Sequence, residues 1–453
     1  MQLSRFVVRY PDVRPGEHVL YSVLDDRYVG VDDRTLSAID GWTSGRAPGT
    51  DDERETMEVL TEDGFLVRDR AEDDALLAAS YAKSSEGVPD TLFVTLMPTL
   101  ACDLACTYCF QKEHPAFDKM KGSVEGHTHA WILQQIDERG LSKLQVHYFG
   151  GEPLTRKDFC LRSAEALSKA MAARGGTFSW SMTTNGVGLD LGFAKAMRSF
   201  GDGIFKITLD GDKETHDTMR VYRDGRGTFD RIFANLVAVA PHVRVRVGGN
   251  FFPDQAASFE KLLDRIEKSG IATLLEGVSF KPIIDTQQFS TGTCTNCSDK
   301  AETQTLVQLN KSLEKRQLAS PLHQGETLER LLGPCELHWK HSYTIDPDGR
   351  VYKCPAVAGR PGLEVAKVSD AAPEKVAPLL ASRPWEKDCG DCAYLPVCYG
   401  GCLGGKYLKT GRTDQVSCKK DKFEESFRES VLHRYVAEFP QWSAAEMPHT
   451  EPS

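Results

Sequence analysis

The 453-residue sequence has no apolar run long enough to cross a bilayer, and its first twenty residues lack the apolar stretch of a secretory signal. No membrane partner is expected, and the cytoplasm is the expected location. Positive charge is also short: 55 Lys and Arg stand against 65 Asp and Glu, a formal net charge of −10. That balance argues against nucleic acid as a partner, because binding by phosphate attraction needs a basic excess. No solenoid repeat and no low-complexity tract is found, so a repeat array is not expected. With 40% hydrophobic and 26% charged residues the composition is globular, and the length suggests two or three domains.

Cysteine, in contrast, is abundant, with thirteen residues. In a reducing compartment disulfides are disfavoured, and tightly clustered cysteines read as metal ligands. Two fields stand out. Cys102, Cys106 and Cys109 form C-x3-C-x2-C, and seven more lie at Cys335, Cys354, Cys389, Cys392, Cys398, Cys402 and Cys418.

Five segments are expected. Residues 1–85 read as a small α+β unit: HVLYSVLDDRYVGVDD alternates around Asp25 and Asp26 as a hairpin does, and two helical segments follow. A linker is expected over 82–90. Residues 90–290 alternate strand and helix six times, with strands starting near Thr91, Leu144, Phe178, Gly203, Val243 and Gly277. This α/β pattern implies a parallel sheet curled into a partial (β/α)6 barrel, with functional groups at the C-terminal strand ends. Residues 291–334 bridge to a cysteine-, glycine- and proline-rich region at 335–425, and 426–453 form a terminal helix and tail. Cys160 sits in a helical pattern and is expected in the core.

Three thiolates can hold three irons of a [4Fe–4S] cube and leave the fourth iron open to a small molecule. A structural zinc site is the alternative, but three cysteines leave it incomplete. With Tyr108 just before the last cysteine, C-x3-C-x2-C resembles the hallmark of the radical S-adenosylmethionine (SAM) superfamily. The resemblance implies that the open iron binds SAM and that one-electron cleavage yields a 5′-deoxyadenosyl radical, which takes a hydrogen atom from a substrate. Gly150, Gly151 and Glu152 resemble the family's GGE motif, which meets the SAM amino group. Thr184 and Asn185 resemble polar residues near the SAM ribose, although an Asn-Gly turn would read alike. Thr208 and Arg220 resemble a serine and an arginine that contact SAM in the sulfatase-maturing branch. An ion pair of Arg220 with Asp217 or Asp224 is the plainer reading.

The second field, C-x13-G-x4-C, then C-x2-C-x5-C-x3-C, then a last cysteine, is similar to the seven-cysteine signature of SPASM domains, Gly349 included. That resemblance implies two auxiliary [4Fe–4S] clusters and three clusters in all. Cys335, Cys354 and Cys402 would hold the nearer auxiliary cluster, with Cys294 or Cys297 as a further ligand. Cys389, Cys392, Cys398 and Cys418 would hold the farther one. The sulfatase-maturing branch carries an aspartate base directly after the cysteine that corresponds to Cys354, and this chain has Pro355 there. The chain thus resembles enzymes that modify ribosomally made peptides, and its N-terminal unit resembles their winged-helix-like peptide-recognition domain. The expected activity is oxidative modification of a precursor peptide or protein, such as a thioether or carbon–carbon crosslink, with a flavodoxin or ferredoxin as reductant. A formylglycine-forming sulfatase maturase and a non-catalytic iron–sulfur electron carrier are the rival readings.

Overall fold

The computed structural model describes residues 1–111, 119–283, 300–319, 334–370 and 374–440. Cys294 and Cys297 lie outside the described residues. Near the N-terminus come β1 (Gln2–Leu3), β2 (Val7–Arg14), β3 (Glu17–Ser22), β4 (Arg27–Asp32) and β5 (Leu66–Val67). Strands β2, β3 and β4 form an antiparallel sheet with β3 in the middle, and β1 pairs with β5. Helices Asp33–Thr43, Asp51–Glu62 and Arg70–Ser85 start at Asp32, Thr50 and Asp69, whose side chains each accept a backbone N–H of the first turn. The last of these helices runs to Ser85, so the expected linker over 82–90 is shorter at its start.

Every residue of β3 is buried, polar Glu17 and His18 among them, because the sheet is a middle layer. One face packs Leu20 and Val31 on Ile39, Trp42, Leu60 and Phe65. The other packs Tyr10, Val19 and Tyr21 on Phe427, Val431 and Tyr435, spaced by four along the C-terminal helix Lys420–Glu438. Polar contacts reinforce this join. Arg434 donates to both Asp26 carboxylate oxygens at 3.0 and 2.7 Å, and Tyr435 Oη donates to buried Glu17 at 2.5 Å.

The central sheet begins with β6 (Thr91–Leu96), β7 (Lys143–Tyr148), β8 (Thr177–Thr184), β9 (Asp202–Thr208), β10 (Arg244–Phe251) and β11 (Val278–Pro282). These are the six expected strands, parallel and in sequential order. Alternate residues Leu144, Val146, Trp180, Met182, Phe205, Ile207, Val245 and Val247 point to the helical layer and build the main core with Phe159, Leu167, Ile232 and Leu262. Cys160 is fully buried in that core, as expected.

One feature of the C-terminal region had no counterpart in the sequence pattern. Strands β12 (Ser342–Ile345), β13 (Arg350–Tyr352) and β14 (Ala366–Lys367) extend the same sheet. Strand β12 lies parallel to β6, with Tyr343 opposite Val94. The cysteine-rich region is therefore continuous with the barrel sheet. Among the described residues no helix is long and apolar enough to cross a membrane.

Candidate active site

The first cysteine loop follows β6 and is clamped from two sides. On one side Gly151 N–H donates to Thr99 O at 3.0 Å and Glu152 N–H donates to Ala101 O at 2.9 Å. A Cβ on Gly150 would stand 2.2 Å from Thr99 O, and one on Gly151 would stand 2.1 Å from Ala101 O. Gly150 also has φ +122°, which L side chains rarely adopt. The two glycines let the loop lie directly on the end of β7. On the other side Ala105 N–H donates to Val221 O at 2.8 Å, Thr107 N–H donates to Met219 O at 2.9 Å, and Arg223 donates to Cys102 O.

Glu152 is buried and works inside the protein. It accepts hydrogen bonds from Leu154 N–H at 2.9 Å, Thr184 Oγ1 at 2.6 Å and Asn185 N–H at 2.7 Å, which ties β7 to the end of β8. Burial pushes its pKa up to about 7 against these bonds. Asn185 turns its amide toward the cysteine loop and donates to Asp103 at 2.7 Å.

Tyr108 and Arg220 meet in a buried network. Arg220 Nη1 donates to Tyr108 Oη at 2.7 Å and lies 3.5 Å from the Asp210 carboxylate. Tyr108 donates to Asp210, while Asn250 donates from Nδ2 to Tyr108 Oη at 3.1 Å and from its backbone N–H to Asp210 at 2.6 Å. Neither plainer partner of Arg220 is used: Asp217 accepts from Thr228 and Phe229 N–H, and Asp224 pairs with Arg226. Thr208 ends β9 opposite Gly248, on the face away from the helices. The sequence reading missed Asp210 and Asn250. Both sit at or just past C-terminal strand ends, and that position was the available signal.

The seven downstream cysteines fall into two groups. Cys402 and Cys335 lie close enough to act on the Cys354 thiol, and Cys398, Cys392 and Cys418 lie close enough to act on that of Cys389. The second group lines one pocket with Tyr394, Lys419, Lys420 and Phe423. At the first, Gly404 backs onto Cys354, where a Cβ would stand 2.7 Å from the sulfur. Gly405 N–H donates to Cys402 Sγ at 3.3 Å. Burial pushes the thiols of Cys102, Cys106, Cys335, Cys354, Cys389 and Cys398 up, so a bare thiolate is disfavoured at each. Ligation to iron would supply the positive charge that burial denies them. This donor set, all sulfur and grouped in three, three and four, suits iron–sulfur cubes.

Comparisons with known proteins point to the family of the domain that holds the first cysteine loop. A family model described as the Radical SAM superfamily matches residues 96–289. A cysteine-type anaerobic sulfatase-maturating enzyme of Clostridium novyi (strain NT) is 23% identical over 373 residues, 74% of this chain and 94% of that protein. A PqqA peptide cyclase of Methylocella silvestris is 23% identical over 331 residues, 69% of this chain and 83% of that protein. Among solved structures, native anSMEcpe with bound AdoMet and a Cp18Cys peptide superposes with TM-score 0.59 at 19% identity, covering 78% of this chain and all (100%) of that one. Streptococcus suis SuiB bound to S-adenosylmethionine has TM-score 0.51 at 14% identity, covering 92% and 99%. The family match, over the stretch that carries the clamped cysteine loop and the strand-end network, identifies residues 96–289 as a radical SAM domain.

Proposed function

We propose that this chain is an enzyme that oxidatively modifies a residue of a ribosomally made precursor peptide or a protein. Cys102, Cys106 and Cys109 would hold the SAM-binding [4Fe–4S] cluster. Bound SAM and that cluster supply, on one-electron reduction, a radical able to take a hydrogen atom from substrate. The observation that carries the reading is the loop clamp: Gly150, Gly151 and Glu152 on one side and residues 219–223 on the other hold the three cysteines over the barrel mouth. Asn185, Thr208, Arg220 and Tyr108 would orient SAM beside them. Arg220 is already held by Asp210 and Tyr108, so little ordering is left for SAM binding to impose.

Cys335, Cys354 and Cys402 would hold one auxiliary cluster, and Cys389, Cys392, Cys398 and Cys418 the other. They would carry the second electron of the oxidation away from substrate to an external acceptor, while a flavodoxin- or ferredoxin-like reductant would supply the electron for SAM cleavage. A thioether or carbon–carbon crosslink fits this chemistry. A formylglycine-forming reaction is less well served, because Pro355 after Cys354 opens a 3-10 turn and offers no carboxylate. Residues 1–85 would bind the peptide by adding it as a strand to β2 or β4, the two edges of the N-terminal sheet.

The test is anaerobic incubation of reconstituted protein with SAM and dithionite. Formation of 5′-deoxyadenosine is expected, with about twelve irons per chain at four per cube. The triple variant C102A/C106A/C109A should lose about four irons and all SAM cleavage. Cleavage that survives in the triple variant overturns the assignment, and an electron carrier would make no 5′-deoxyadenosine.

A further inference from the structure

The two downstream groups of cysteines meet at one backbone crossing. Gly401 is bridged in parallel to Ser417, and Ser417 N–H donates to Gly400 O at 2.7 Å. A Cβ on Gly401 would stand 1.9 Å from Ser417 O, and its φ is +76°, so only glycine lets the two segments lie this close. The next residue on each segment is a cysteine. Cys402 belongs with Cys335 and Cys354, whereas Cys418 belongs with Cys389, Cys392 and Cys398. The crossing therefore brings one member of each group alongside the other. The residue that leaves it is Lys419.

Lys419 stands where a helix disfavours a cation. It is the N-cap of helix Lys420–Glu438, and its side chain makes no capping bond. Small hydrogen-bond acceptors are preferred at that position, and the partial positive charge of a helix N-terminus opposes a lysine there. Lys422, three residues on, is also half-buried, and Lys419 adds to the burial that lowers its pKa. A lysine held only by water would turn outward, as exposed Lys420 does to reach Glu424 at 3.6 Å. Lys419 is instead half-buried and lines the pocket of Cys389, Cys392, Cys398 and Cys418. Its charge also reaches the other group: burial raises the thiols of Cys398 and Cys335, and Lys419 draws each of them back down. A local choice that works against its own helix and serves both cysteine groups points to a role at those groups.

Net charge, hydrogen bonds to sulfur and solvent exposure set the reduction potential of an iron–sulfur cube. Thiolate ligation makes a cube anionic, so each added electron works against charge already present. A cation within reach lowers that cost, and more so where water is partly excluded.

We propose that Lys419 is a shared counter-cation of the two auxiliary clusters, raising the reduction potential of both and so favouring acceptance of an electron from substrate. This deepens the reading of the seven downstream cysteines as ligands of two clusters and rests on it.

The test is a redox titration followed by electron paramagnetic resonance on reconstituted full-length protein. The variant C102A/C106A/C109A serves as background, so that only the auxiliary signals remain, with about eight irons at four per cube. Adding Lys419→Met should lower the affinity of each auxiliary cluster for an electron about tenfold, a fall of about 59 mV in each midpoint for one electron. Lys419→Arg should keep both midpoints. Unchanged midpoints in a Lys419→Met protein with full iron overturn the proposal, and a shift of one cluster alone overturns the shared role. If Lys419→Met and Lys419→Gln both lose iron, Lys419→Arg decides: full iron with the original midpoints supports a need for the charge, and iron loss there too shows a packing role and overturns the proposal. The underlying reading fails separately, since a background protein with no iron and no auxiliary signals sinks the two-cluster assignment itself.

Discussion

Replacing Gly151 by alanine tests how the cysteine loop is held. The new Cβ would stand 2.1 Å from Ala101 O and 2.4 Å from Leu100 O, so reaching even 3.0 Å from the first requires a retreat of about 0.9 Å. That movement breaks or stretches Gly151 N–H to Thr99 O and Glu152 N–H to Ala101 O, now 3.0 and 2.9 Å. Each such bond contributes about 1 kcal/mol net, and the overpacking itself costs about 1–3 kcal/mol. The expected loss is about 2–5 kcal/mol, which lowers Tm by roughly 4–20 °C. A displacement of about 1 Å in a reacting constellation can cost about a hundredfold in rate, so SAM cleavage should fall by about that factor, with loss of the first cluster's iron. Gly126→Ala is the control. It lies inside helix Gly122–Arg139 with open space around its Cβ, so alanine should stabilise by about 0.5–1 kcal/mol. The measurements are iron content, thermal melting and 5′-deoxyadenosine yield. A Gly151→Ala protein with unchanged iron, melting and cleavage would refute the clamp.

Three further expectations are open to measurement. Arg220→Met strips Asp210, whose side chain is fully buried, of its cation; breaking such a pair costs about 3–5 kcal/mol, and SAM affinity measured by equilibrium dialysis should fall with it, so an unchanged melting curve would count against the network. Burial holds His216 neutral, with its pKa lowered to about 3, and its Nδ1 accepts Asp210 N–H at 3.1 Å while its Nε2 bonds Thr228 Oγ1. The unfolded chain takes up this proton near pH 6.5 and the folded chain only near 3, so the histidine's stabilisation is full above pH 6.5 and is lost as pH falls toward 3. His216→Gln should flatten the acid limb of the stability curve by up to about 1.4 kcal/mol per pH unit, and an unaltered limb would refute the buried neutral form. Deleting residues 1–85 uncovers Phe427, Val431 and Tyr435, so the truncated chain should bind a hydrophobic dye and lose the irons proposed for the cysteines near Tyr394; a monomeric truncation with full iron content would show that the layer is dispensable.

Much of the architecture was legible because it is written in local periodicity. Alternation marked all six barrel strands, and four-residue spacing marked the terminal helix. Cysteine spacing alone separated a loop of three from a field of seven. Other features depend on contacts between segments far apart in sequence. The attachment of β12 beside β6 joins Tyr343 to Val94, and no local pattern encodes such a pairing. The burial of Glu17 follows from Tyr435, more than four hundred residues away (|i−j| = 418). Asp210 and Asn250 look like ordinary strand-end residues until the barrel brings Tyr108 and Arg220 to them. Lys206 and Arg246 look like routine alternation in sequence. Only the strand register places one cation directly opposite the other, because charge interaction depends on distance in space and not along the chain.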